Sequence, residues 1–157
     1  MQSPDKATVA NLNTTAQALA HLAMQFRADV RQLNAMGLGW LQCRVKKWYS
    51  TSESHLDLFL DRILYFDTDP TFDVGSVVGM SSVPDLLTRI QQWITDVLQQ
   101  AKKFRRAAYD ADPDYTSDLY EHLIRDFEKI AYKIERELRL IKQLGEAGYI
   151  GARLEDE

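Results

Sequence analysis

Residues 41–66 of this chain read LQCRVKKWYSTSESHLDLFLDRILYF, and their apolar positions indicate how the chain folds. These positions recur every three or four residues, which is the period of one face of an α-helix and not of a β-strand. The face comprises Leu41, Val45, Trp48, Ser52, His55, Phe59, Ile63 and Phe66. Because Ser52 and His55 are its polar members, the pattern predicts a helix with a polar pair in the middle of its buried face.

A second apolar line runs beside this face and is interrupted by Glu53. It comprises Tyr49, Leu56, Leu60 and Leu64. Since a helix in a bundle needs one face for the core, the second line is available for contact with a partner subunit.

The same helical period predicts three further helices along the chain. They lie at about residues 3–36, 82–110 and 116–144. Ser3-Pro4-Asp5 is a typical helix start, because serine caps a helix and proline fits its first turn. Gly37 and Gly145 are predicted stops, with Met36 and Leu144 as the last inward residues before them. The tail after Gly145 has the length for one or two more helical turns.

The stretch between the second and third helices, at residues 67–81, is rich in Asp, Gly, Ser and Pro. It also carries Phe72, Val74, Val77 and Val78, which we expect to anchor it across the bundle. Two long hairpins joined by such a crossover predict an all-α fold. We expect one ferritin-like domain over residues 1–157, built as a four-helix bundle with one long crossover and a short C-terminal helix.

Composition limits the functions available to the chain. It carries a formal net charge of −4 and a pI near 5.4, and acidic residues surround its basic runs, so nucleic acid is not an expected partner. No signal peptide or membrane-spanning stretch is evident, which predicts a cytoplasmic protein with no membrane partner. The single cysteine, Cys43, falls on the polar side of its helix without a paired base, as expected for an inert thiol.

The histidines decide whether a metal site is plausible. Di-iron sites in helical bundles pair inward carboxylates with Glu-x-x-His motifs, yet none of the three histidines follows a glutamate by three residues. His21 and His122 lie off the inward lines and are predicted to be exposed. His55 is either a core imidazole hydrogen-bonded to Ser52 or to backbone, or a remaining metal ligand.

Several local strings carry a resemblance to a known family. They are NAMGL at residues 34–38, His55 followed by LFLDRIL at 58–64, IRD at 124–126 and LIKQLG at 140–145. In order and content they resemble the bacterioferritins of the ferritin-like superfamily, over nearly the whole chain. The resemblance implies a hollow shell of many subunits that oxidises Fe(II) at an intrasubunit di-iron centre, stores ferric mineral and binds haem between subunits.

Matched position by position, the resemblance implies that most of this machinery has been replaced. Five of the six ligand positions of the di-iron centre hold other residues, namely Leu19, Ser52, Val97, Phe127 and Ile130. His55 is the ligand that remains. The haem-ligand methionine falls on Glu53, a poor substitute on haem iron, and the inner-surface residues that assist iron uptake fall on Lys47 and Thr51.

These observations favour a bacterioferritin-like shell subunit for iron storage that lacks ferroxidase activity and co-assembles with an active, ligand-complete sister subunit. Iron would then lie as mineral in the shell, and haem is not supported. Two alternatives stay open. One is an iron-independent scaffold or stress-protection shell with a Dps-like role, and the other is an unconventional iron enzyme that uses His55, Glu53 and Asp57.

Overall fold

The structure, a computed structural model, describes residues 6–71, 73, 75–111 and 115–155 of the chain. It contains the helices α1 (Lys6–Ala35), α2 (Gly39–Tyr65), α3 (Val83–Ala111) and α4 (Thr116–Glu155). The predicted helix start at Ser3-Pro4-Asp5 and the anchors Phe72 and Val74 lie outside the described residues. Across the described ranges every regular element is helical, which confirms the all-α prediction.

The helices pack as two hairpins laid side by side. α1 contacts α2 and α3 contacts α4 along their lengths, while α1 also contacts α3 and α2 contacts α4. Gly37 makes the first tight turn with a φ of 73°, a left-handed conformation that glycine adopts without strain. Buried apolar residues from all four helices form one continuous cluster, so the bundle has a single shared core.

The inward face of α2 matches the sequence prediction at all of its positions. Each residue from Leu41 to Phe66 on that line is buried, and Ser52 and His55 are among them. The predicted inward lines of α1 and α4 extend too far, because Met36 is 54% exposed and Leu144 is 48% exposed. Met36 directly follows the end of α1 at Ala35, and Leu144 directly precedes the kink at Gly145.

The crossover is held by polar contacts with α1. The Asn13 amide bonds both backbone groups of Thr71, at 2.6 and 2.8 Å. Gln25 bonds both backbone groups of Val78, at 2.7 and 2.8 Å. The expectation that Val77 and Val78 act as apolar anchors is therefore wrong, since each is 49% exposed. Amide side chains satisfy an extended backbone that has no sheet partner.

The C-terminal end folds back as a short helical segment. Gly145 has a φ of 72° inside α4 and separates the long helix from residues 146–155, which are helical for more than the predicted one or two turns. Tyr149 and Arg153 bind the Glu137 carboxylate at 2.6 Å each and dock the segment. In the described part of the chain, no helix has the length and apolar character to cross a membrane.

Candidate functional site

The polar centre of the bundle is a hydrogen bond between α2 and α4. His55 Nε2 donates to Asp126 Oδ2 over 2.7 Å, and the side chains are 6% and 40% exposed. The predicted partners of His55 were Ser52 or backbone, and that part of the prediction is wrong. Ser52 instead donates its hydroxyl to the carbonyl of Trp48, one turn earlier in α2, at 2.9 Å.

The other side of the imidazole faces hydrocarbon. His55 Nδ1 is buried and has no hydrogen-bond partner among the described residues. The edge of the Phe127 ring packs against the imidazole, with centroids 6.1 Å apart and planes at 86°. The unpartnered Nδ1 thus lies in an apolar environment beside Phe127.

Three helices contribute hydrocarbon to the core that His55 shares. Four residues at the positions that the bacterioferritin resemblance assigns to iron ligands are almost fully buried, with exposures of 0–8%. They are Leu19 on α1, Val97 on α3, and Phe127 and Ile130 on α4. Side chains of this kind pack and exclude water, but they offer no donor atom to a cation.

The residues present do not fit a di-iron centre. Such a centre requires several hard oxygen donors and one imidazole for each metal. Here His55 and Asp126 are bonded to each other, and among the described residues no three His, Cys, Asp or Glu side chains come together as ligands. The arrangement supplies a packed core with one polar contact between α2 and α4, and it offers no set of ligands for iron.

Glu53 and Asp57 are exposed on other sides of α2 and do not join His55. The hydrogen bond to the Glu53 carboxylate raises the pKa of the Tyr49 hydroxyl, and partial burial and the charge of Glu53 raise it further, while Arg27 opposes them. Arg27 lies over the Tyr49 ring at 5.9 Å. The bacterioferritin resemblance places a haem-ligand methionine at Glu53, and this group of charged and hydroxyl side chains offers no such soft ligand, so it does not fit a haem.

The other sequence candidates lie apart from the centre. His122 is exposed, as predicted, and so is Cys43. His21 was predicted to be exposed but is partly buried, because its Nε2 bonds the Ser76 carbonyl at 2.9 Å and its ring lies 4.8 Å from Trp93. None of them is a ligand for the interior of the bundle.

Lys47 and Thr51 lie on the side of α2 that faces α4 across a surface groove. The Thr51 hydroxyl donates to the Lys47 backbone carbonyl at 3.1 Å, and Lys47 is exposed. A cation at this position repels iron ions where a carboxylate would attract them.

Two acidic residues that contact basic side chains of a neighbouring helix were not identified as such from the sequence. Asp126 was noted only as part of the IRD string, and Asp29 was not singled out. Asp29 is fully buried and bonds Arg89 on α3 at 2.9 and 3.3 Å as well as Gln25 at 2.9 Å. A charged residue within an apolar line is the sequence signal for a buried charged group, and Asp29 lies in this way between Phe26 and Val30.

Comparison with known proteins identifies the architecture. No family model matches the chain, and no curated protein matches it. Among solved structures, Mycobacterium tuberculosis bacterioferritin BfrA superposes with a TM-score of 0.91 at 20% sequence identity, over 97% of this chain and 96% of that chain. The chain therefore has the ferritin-like four-helix bundle fold of a bacterioferritin, as the resemblance implied.

Proposed function

We propose that this chain is a bacterioferritin-like shell subunit for iron storage in the cytoplasm that does not itself oxidise iron. The observation that carries this proposal is an intact bundle around a centre filled with Leu19, Val97, Phe127 and Ile130. Replacing buried carboxylates and their metals by packed hydrocarbon is often neutral or stabilising, so the subunit keeps its shape without metal. The shape is what a shell needs from a structural subunit.

The second apolar line of α2 supports assembly with other subunits. Leu56 and Leu60 are partly exposed and Leu64 is 53% exposed, and they continue a line that begins at Tyr49. An apolar stripe of this length along an outer helix face is typical of a subunit interface. We place the contact with a second copy or with a sister subunit on this face.

A sister subunit with all six iron ligands would supply the oxidation that this chain lacks. Lys47 is a cation, and Leu19, Val97, Phe127 and Ile130 carry no donor atom for iron, so we assign the oxidation to the partner subunit. In a mixed shell the ferric mineral would form through the partner, and this chain would set the number of oxidation centres.

Isolation of the native assembly tests the proposal. The shell is purified from its own host, its iron and haem are measured, and every subunit in it is identified by mass spectrometry. Iron together with a second, ligand-complete subunit is the expected result. A homopolymer free of iron and haem would contradict it and would favour the iron-independent scaffold.

A further inference from the structure

A surface groove between α2 and α4 concentrates positive charge. It has a volume of about 640 Å³ and is lined by residues from both helices. The charged lining residues are Arg44, Lys46, Lys47, Lys129, Lys133 and Asp126. Five of these six are cations, in a chain whose acidic residues outnumber its Lys and Arg by 23 to 19. The sign of the groove is thus opposite to that of the whole chain.

The cations of the groove are not neutralised by the protein itself. Among the described residues, none of the five forms an ion pair with a carboxylate. Asp126 is the acid of the groove, and its carboxylate already accepts the bond from His55. Arg44 is held in place by the Trp40 ring, 5.1 Å from its guanidinium carbon. Like charges gathered in this way repel one another unless an anion lies between them.

Two neighbouring hollows share cations with the groove. Lys133 also lines a hollow of about 200 Å³ that contains Arg136 and Glu137, and another of about 670 Å³ that contains Arg125 and Glu128. α2 and α4 are antiparallel, because contacts with α4 move from Asp126 to Thr116 as α2 runs from His55 to Arg62. The cations of the groove therefore form two facing rows along the helices. The cations of the α2 row extend from Arg44 to Lys47, for about 4.5 Å at 1.5 Å per residue.

We propose that this groove binds a linear inorganic multi-phosphate anion between the two rows of cations. Several linked phosphates would contact both rows at once, which one small anion cannot do. Ammonium and guanidinium groups are the usual side-chain groups that bind phosphate in proteins. The aromatic residue of the groove, Trp48, is only 4% exposed, so the groove has no platform on which nucleic acid bases could stack. The proposal is independent of iron, of haem and of a sister subunit.

Calorimetric titration of the full-length protein tests this at low ionic strength. The probe is inorganic tripolyphosphate, compared with orthophosphate, with sulfate and with a short single-stranded oligonucleotide. The groove variant is Lys47→Gln/Lys129→Gln/Lys133→Gln. The control variant Lys102→Gln/Lys103→Gln/Lys142→Gln removes the same charge from exposed positions outside the groove.

Tripolyphosphate is expected to bind more tightly than orthophosphate or sulfate, and its affinity should fall as salt is added. The groove variant should bind about a hundredfold more weakly, because three close charge contacts are lost, and the control variant should stay within about threefold. Lys133→Gln alone should weaken binding about fivefold, which keeps the test valid if the triple variant unfolds. Thermal unfolding checks that each variant is folded.

Three results would overturn the proposal. The first is an equal loss of affinity in the groove and control variants, which would reflect net charge only. The second is equal binding of sulfate and tripolyphosphate. The third is tighter binding of the oligonucleotide than of tripolyphosphate, which would make nucleic acid the ligand of the groove.

Discussion

His55 Nε2 and Asp126 Oδ2 lie 2.7 Å apart, between residues that are 71 positions apart in the chain. The bond joins α2 to α4 at the level where a di-iron centre would join all four helices. One imidazole and one carboxylate satisfy each other here, while the surrounding positions hold hydrocarbon. The polar centre therefore acts as a structural contact between two helices.

Removing the carboxylate should destabilise the bundle. Asp126→Ala leaves a buried imidazole without a partner, so we expect the free energy of unfolding to fall by about 1–3 kcal/mol. Urea unfolding followed by circular dichroism measures this value. Glu128→Ala is the control on the same helix, because the exposed pair of Glu128 with Lys102, at 3.8 Å, contributes little. Equal effects of the two variants would show that the His55 contact is not a stabilising one.

A single restored carboxylate should not be tolerated in the filled centre. Leu19 has no exposed surface, so Leu19→Glu buries an acid without a metal and should cost several kcal/mol, about 3 or more. Leu19→Met keeps the apolar volume and should cost less than about 1.5 kcal/mol. Thermal unfolding at neutral pH compares the two. A Leu19→Glu protein as stable as Leu19→Met would mean that the centre still accommodates charge.

The second apolar line of α2 should hold the assembly together. Leu60→Arg puts a charge at the proposed interface and is expected to reduce the assembly to smaller species in size-exclusion chromatography with light scattering. Leu56→Arg should act in the same way. The matched control is Leu58→Arg, since Leu58 is 41% exposed on another side of the same helix. An unchanged mass for Leu60→Arg would move the interface elsewhere.

Alkaline pH should destabilise the fold through Tyr120. Burial raises the pKa of this hydroxyl well above its usual value, although its bond to Thr15 at 3.0 Å opposes the shift. Above pH 10 the unfolded tyrosine loses its proton while the folded one keeps it, so the folded state binds more protons and stability falls as pH rises. The slope is about 1.4 kcal/mol per pH unit for one such group.

Urea unfolding at a series of pH values between 9 and 11.5 measures that slope. Tyr120→Phe removes the titrating group and should give a shallower slope than the parent protein. The pKa of Tyr149 is also raised by burial and by Glu137, so part of the pH dependence of stability remains in both proteins. Identical slopes for the parent protein and the variant would show that Tyr120 does not cause the loss of stability at alkaline pH.

The helices were readable from the sequence because each buries one face of a 3.6-residue period. The predicted buried face of α2 is confirmed at each position for this reason. Gly37 and Gly145 lie at the turns, and both have positive φ, which glycine adopts without strain. The sequence pattern did not predict which polar residues of different helices contact each other. Asp126 is paired with His55 by the relative register of α2 and α4, and packing sets that register without leaving a local pattern in sequence.

The anchoring of the crossover was missed for a related reason. Hydrophobic spacing favoured Val77 and Val78, but an extended segment without a sheet partner has backbone groups that require hydrogen bonds. Asn13, Gln25 and Gln32 on α1 supply them. These amides are spread along α1 and separated by about fifty residues from their partners, so no motif reveals them.

The most direct test of the central claim is an oxidation assay on the purified homopolymer. Fe(II) is added in steps in air, and the formation of Fe(III) is followed by absorbance. We expect slow oxidation at the rate of a protein-free control, with no break at about two irons per subunit, because a di-iron centre requires ligands that the described residues do not bring together. Rapid oxidation that saturates at about two irons per subunit would contradict it.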